Sequence, residues 1–113
     1  MNITTSEEQG IVIIGLEGAM LGGGESLVLS DTLHGMIDDG KINGIIDLKD
    51  VTFVNSSGLG MLINGLTTLK NAGGQLRIAR ANDKVKHILA ITKLNAVLQP
   101  YDSLESALKS FSE

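Results

Sequence analysis

Apolar residues fall along this chain in two alternating textures: short continuous runs and stripes at helical spacing. Ile11-Val12-Ile13-Ile14-Gly15-Leu16 is a β-branched run of the kind that forms a buried strand. Residues 2–6 predict an edge strand beside it, and Gly18 with Gly22-Gly23-Gly24 marks a flexible crossing. Leu29, Leu33, Met36 and Ile37 then recur at i, i+4, i+7 and i+8, one face of an amphipathic helix. Gly40, after Asp38-Asp39, suits the left-handed residue beyond that helix.

Gly44-Ile45-Ile46-Asp47-Leu48 predicts a second buried strand, followed by a turn at Lys49-Asp50 and the stretch Val51-Thr52-Phe53-Val54. Beyond Asn55-Ser56-Ser57-Gly58, the residues Leu59, Leu62, Ile63, Leu66 and Leu69 return to helical spacing. This helix is expected to start near Ser57 and to end at Asn71-Ala72-Gly73-Gly74. Gln75-Leu76-Arg77-Ile78-Ala79 is a third clear strand. Asn82 or Asp83 can cap a helix carrying Val85, Ile88 and Leu89. Asp102, three residues before Glu105, resembles a capping-box start for a last helix with Leu104, Leu108 and Phe111 on its apolar face. Strands alternate with helices and no linker interrupts them, so the pattern predicts one α/β domain over residues 1–113. Its sheet should be largely parallel, with flanking helices. Right-handed crossovers would place the strand-to-helix turns along one edge, where α/β folds carry functional residues.

Composition narrows the partners. The chain has 113 residues, 42% of them hydrophobic, and a formal net charge of −4, values of one folded domain and not of a disordered chain. Nine Lys and Arg stand against thirteen Asp and Glu, and the aromatic residues are Phe53, Tyr101 and Phe111 with no Trp. Single-stranded nucleic acid is bound by stacking platforms in a basic groove, so no direct nucleic-acid binding is expected. The absence of Cys excludes disulfides and thiolate chemistry and fits a reducing compartment. The polar, acidic start Met1–Glu8 is unlike a signal peptide, and no apolar run approaches the ~20 residues that span a bilayer. A cytoplasmic location without membrane insertion is the expectation.

Catalytic and cofactor motifs are incomplete. Gly58-x-Gly60 would need a third glycine at position 63, which is Ile, to make a dinucleotide fingerprint. Gly60 and Gly65 have the glycine spacing of a phosphate-binding loop. Leu66 stands where the Lys must be, and both glycines fall inside the predicted helix, so close packing explains them better. His34 and His87 lack the converging ligands of a metal site. No Gly-x-Ser-x-Gly elbow accompanies Ser56 or Ser57. The expectation is a protein without cofactor, metal or catalytic residues.

Ser56 and Ser57 open a helix, where a serine oxygen commonly accepts an unpaired N–H for about 1 kcal/mol. The same position suits an anion, since helix N-termini present N–H groups and the positive end of the macrodipole. The stretch Ile45-Ile46-Asp47-Leu48-Lys49-Asp50-Val51-Thr52-Phe53-Val54-Asn55-Ser56-Ser57-Gly58-Leu59-Gly60 resembles the central motif of the STAS domain family, particularly bacterial anti-sigma factor antagonists. The resemblance extends to Leu16-Glu17-Gly18, to Asn71-Ala72-Gly73-Gly74 and to Leu89-Ala90-Ile91-Thr92-Lys93-Leu94. It implies a STAS-like mixed sheet with flanking helices and a switch based on reversible serine phosphorylation. The implied partners are an anti-sigma factor acting as an ATP-dependent serine kinase and a metal-dependent phosphatase. The phosphorylated residue would be Ser56, with Asn55, Ser57 and Gly58 as its switch loop and Ser57 as helix cap. Regulated members usually carry Asp before that serine; Asn55 keeps the shape and one acceptor but removes the charge. Two alternatives accompany this reading: a STAS subunit of another signalling or transporter assembly without a phospho-switch, and a small phosphate- or nucleotide-handling enzyme.

Overall fold

The architecture was obtained as a computed structural model that describes residues 2–98 and 100–112. The first strand, β1 (Asn2–Glu8), pairs antiparallel with β2 (Ile11–Met20) through a tight turn at Gln9-Gly10. Every later strand is parallel to its neighbour, and the sheet order is sequential, β1-β2-β3-β4-β5. Here β3 is Asn43–Val54, β4 Gln75–Ala79 and β5 Pro100–Tyr101. The helices are α1 (Gly24–Asp38), α2 (Ser56–Asn71), α3 (Asp83–Ile91) and α4 (Leu104–Ser110), with a 3₁₀ turn at Leu94–Ala96. The chain thus forms one small domain with a five-stranded mixed sheet and, among the described residues, four α-helices.

Alternation along the strands divides the core in two. Ile14, Leu16, Ile46, Leu48 and Ile78 join Leu29, Leu33, Leu62, Leu69, Val85 and Leu89 in one large cluster under α1, α2 and α3. Their neighbours Ile11, Ile45 and Ala79 point to the opposite face, where Ala107 and Leu108 of α4 complete a small second cluster. The runs that read as continuously apolar are therefore buried on both faces, which is what a parallel sheet between two layers demands.

Three expectations require correction. Lys49-Asp50 is not a turn: β3 continues through it to Val54. The pairing with β2 shifts between Gly15/Glu17 and again between Gly18/Ala19, so β3 absorbs an extra residue at each bulge. Asp47 sits at the first bulge and is held by the Arg80 guanidinium through Nε at 3.1 Å and through Nη2. That hydrogen bond also raises the Arg80 pKa above its ordinary value. The last helix is capped by Ser103, which accepts from Ser106 N at 3.0 Å; Asp102 instead pairs with Lys86 at 2.8 Å. The third correction concerns the start of α2 and belongs to the site.

Candidate functional site

The C-terminal ends of β2 and β3 bring two segments together. Asn55 N donates to Met20 O at 3.2 Å, and Asn55 Nδ2 donates to Leu21 O at 3.3 Å. Its Oδ1 accepts from Gly58 N at 2.8 Å, making Asn55, and not Ser57, the N-cap of α2. Ser56, Ser57 and Gly58 are therefore the first helical turn; of the expected switch loop only Asn55 lies outside the helix. Because the cap is made two residues before Ser57, neither serine hydroxyl is needed for capping. Both serines are exposed.

Two glycines fix this junction. A side chain at Gly58 would run into the Met20 carbonyl, so the residue is small because the backbones touch, not because the chain must flex there. At Gly22, with φ +85°, an added Cβ would lie 2.6 Å from Ser57 Cβ. The glycine-rich crossing thus rests, at Gly22, directly on Ser57. Of the two glycines deeper in α2, Gly65 packs closely: a Cβ there would lie 3.2 Å from Leu33 Cδ1. Gly60 faces open space, so the packing explanation holds only for Gly65.

Apolar side chains stand exposed on the strand leading into the serines, at the end of β2 and on α1. Leu21 is 50% accessible, Phe53 46%, and Leu27 and Val28 on α1 63% and 52%. Sequence patterning missed this group. Its one readable trace is that Leu27 and Val28 fall beside the Leu29/Leu33 stripe and not on it. His34 and His87 are exposed on different helices, His34 donating from Nδ1 to Ser30 O at 2.8 Å. Neither is brought to the serine turn by any bond described here. Among the described residues no group of three or more His, Asp and Glu converges on a metal-sized site. No helix among them is long and apolar enough to cross a membrane.

A family model of the STAS domain matches residues 2–107. The chain belongs to the STAS domain family. It is 31% identical over 62 residues to a Thermotoga maritima protein named "putative anti-sigma factor antagonist", an alignment covering 55% of each. The chain thus spans little more than half the length of that relative. A crystal structure of a T. maritima protein of the same name superposes with a TM-score of 0.88 at 21% identity, covering 98% of this chain and 95% of that one. The Bacillus cell fate determinant SpoIIAA in its phosphorylated form has a TM-score of 0.73 at 15% identity, with 97% and 99% covered. The STAS fold seen in anti-sigma factor antagonists is therefore the fold of this chain.

Proposed function

We propose that this STAS domain is an anti-sigma factor antagonist that docks a serine-kinase anti-sigma factor over the start of α2, and that phosphorylation of Ser56 releases it. A phosphatase would restore the docking form. The chemistry belongs to the partners; this chain is ligand and substrate, acts in the cytoplasm on transcription, and needs no cofactor of its own. One observation carries the reading: an exposed Ser56, relieved of capping by Asn55, follows three residues after the exposed Phe53, in a turn that Asn55 ties to the carbonyl of the exposed Leu21. Apolar side chains next to a modifiable hydroxyl make a surface whose closure depends on the state of that hydroxyl. A STAS relative known in a phosphorylated form supports the same reading.

The switch rests on charge. Phosphorylation adds about −1.5 to −2 charges at neutral pH. The N-terminus of α2 stabilises part of this charge, so the fold should survive. A partner closing over it would strip its water, and an uncompensated buried ion costs several kcal/mol. A loss of ~3–4 kcal/mol weakens binding by two to three orders of magnitude. Ser56→Asp, an imperfect mimic, should therefore fold normally and bind the cognate kinase-like partner far more weakly. Ser56→Ala should bind and resist modification, while Ser57→Ala should remain modifiable. Incubation with that partner and ATP, mass spectrometry of the product and calorimetry of each variant test this. Phosphate on Ser57 would overturn the residue assignment. Tight binding unaffected by Ser56→Asp, with no phosphate, would identify a domain that docks without being switched.

A further inference from the structure

The two edges of the sheet are unequal. At one, β5 is only two residues long and opens with Pro100, which has no N–H to offer. At the other, β1 runs for seven residues and pairs with β2 alone among the described strands, in an unshifted register from Asn2↔Glu17 to Glu8↔Ile11. Proteins guard such an edge with Lys, Pro, a bulge or a short strand. Residues 2–8 contain no Lys or Pro, and their ladder has no bulge. Thr4 and Thr5 favour an extended backbone. The outer N–H and C=O groups of β1 therefore form a template for one more strand.

A cleft opens on each face of this edge. The first, of about 350 Å³, lies on the α1 side between Thr5 and Thr32 and holds Glu7, Asp39 and Lys41. The second, of about 390 Å³, lies on the α4 side against Ile13 and Leu104 and holds Glu7, Glu8, Asp47 and Arg80. Each cation is already paired within its cleft, Lys41 with Glu7 at 2.9 Å and Arg80 with Asp47. Asp39 and Glu8 are left as the surplus carboxylates. Residues 1–40, which span β1, β2 and α1, deepen the imbalance with seven Asp and Glu and no Lys or Arg. An added strand sends successive side chains to opposite faces, hence one into each cleft. Lys or Arg at two adjacent positions would meet a carboxylate on either side, while main-chain bonds to β1 hold the strand. A second copy of this chain brings the same acidic edge and meets like charge, which disfavours pairing.

We propose that β1 is a docking edge for an extended, basic segment of a partner protein, added to the sheet as a further strand. The interaction stands or falls independently of any modification of Ser56. Three end-blocked peptides test it. The first is Thr-Val-Lys-Arg-Val-Thr, and the second has Glu in place of Lys and Arg. The third is the cationic sequence N-methylated on Lys and Arg, whose N–H groups point to opposite edges of a strand, so that charge is kept and strand pairing is blocked. Titrated into the isotope-labelled protein and followed by amide chemical shifts, the cationic peptide should give saturable changes centred on residues 3–8, with Ile13 and Thr32 responding in the two clefts. The acidic and the N-methylated peptides should bind at least tenfold more weakly, the second separating strand addition from plain charge attraction. Glu8 and Asp39 are exposed, so Glu8→Lys and Asp39→Lys should leave the melting temperature unchanged. Each should weaken the cationic peptide severalfold, and together they should abolish saturable binding. No saturable binding, shifts scattered over the whole surface, equal binding of the N-methylated peptide, or undiminished binding by the double variant would overturn the proposal. So would β1 shifts that move with protein concentration in the absence of peptide, which would mean that a second copy covers the edge.

Discussion

At the scale of single residues, two asparagines explain how the C-terminal edge of the sheet is held. Asn55 caps α2 through Oδ1 and donates from Nδ2 to Leu21 O, just after β2. Asn82 repeats the device one strand further on: Oδ1 accepts from Val85 N at 2.9 Å, and Nδ2 donates to Val51 O at 3.0 Å in β3. Each side chain closes a helix and clasps the adjoining parallel segment. Aspartate caps equally well but has no donor at neutral pH, and serine carries its one donor on the same oxygen that caps, whereas Asn holds acceptor and donor on separate atoms. This gives Asn55 a structural reason of its own where regulated family members usually carry Asp. Asn55→Ala should lose about 1–2 kcal/mol, since the cap goes and the Leu21 carbonyl loses its partner. Asn55→Asp should lose less, because a carboxylate keeps the cap and gains ~0.3–1 kcal/mol from the helix dipole while forfeiting the bond to Leu21. Urea unfolding at pH 7 ranks the variants; an Asn55→Ala midpoint equal to wild type would remove the clasp from the account.

At the scale of elements, α2 connects the candidate site to the core. Leu62 and Leu66 lie on the stripe facing the sheet, at 0% and 6% exposure, and Ile63 packs against the same cluster from a half-buried position. Truncation of a buried leucine to alanine costs about 2–5 kcal/mol, out of the ~5–15 kcal/mol that holds a domain of this size together. Leu62→Ala and Leu66→Ala should each unfold at clearly lower denaturant, with Leu62→Ala the more severe because it is fully enclosed. Wild-type midpoints for both would mean that the stripe is not packed. This helix was legible in the sequence, as were α1, α3 and the apolar strands, because their periodicity is imposed by burial itself. Less legible was the middle of β3. Lys49 and Asp50 are exposed and look like turn residues, yet the backbone stays extended because bulges absorb the extra length and the Arg80–Asp47 pair ties the first of them to the chain just beyond β4. Helix starts also slipped by a residue or two. Asn, Ser and Asp cap almost equally well, so local chemistry alone does not choose between Asn55 and Ser57 or between Asp102 and Ser103.

Across the whole molecule the two faces of the sheet are unequal, and this asymmetry decides both what was legible and what should open first. The candidate serine turn could be found in the sequence because its residues are contiguous. The apolar side chains near it and the clefts on either side of β1 could not, because they arise only when segments far apart in the chain are laid against one another. The same long-range packing gives α1, α2 and α3 one large shared core, whereas α4 covers a cluster of only five buried residues. Besides this small apolar cluster, the C-terminal helix is fastened by Arg77, whose guanidinium stacks 4.3 Å from the Phe111 ring centre and donates from Nε to Ser110 Oγ at 2.7 Å. Such a stack is worth roughly 0.5–1 kcal/mol near the surface. Segments with few buried contacts open at a fraction of the global unfolding free energy. Amides of Leu108 and Lys109 should therefore exchange with solvent faster than those of Ile46 and Leu62, by at least about thirtyfold for a difference of ~2 kcal/mol in opening. Arg77→Ala should accelerate exchange in α4 and leave the β2–β3 amides at their wild-type rates. If α4 exchanged as slowly as β3, or if Arg77→Ala sped every amide equally, the two faces would unfold as one unit and the smaller cluster would be integral to the core.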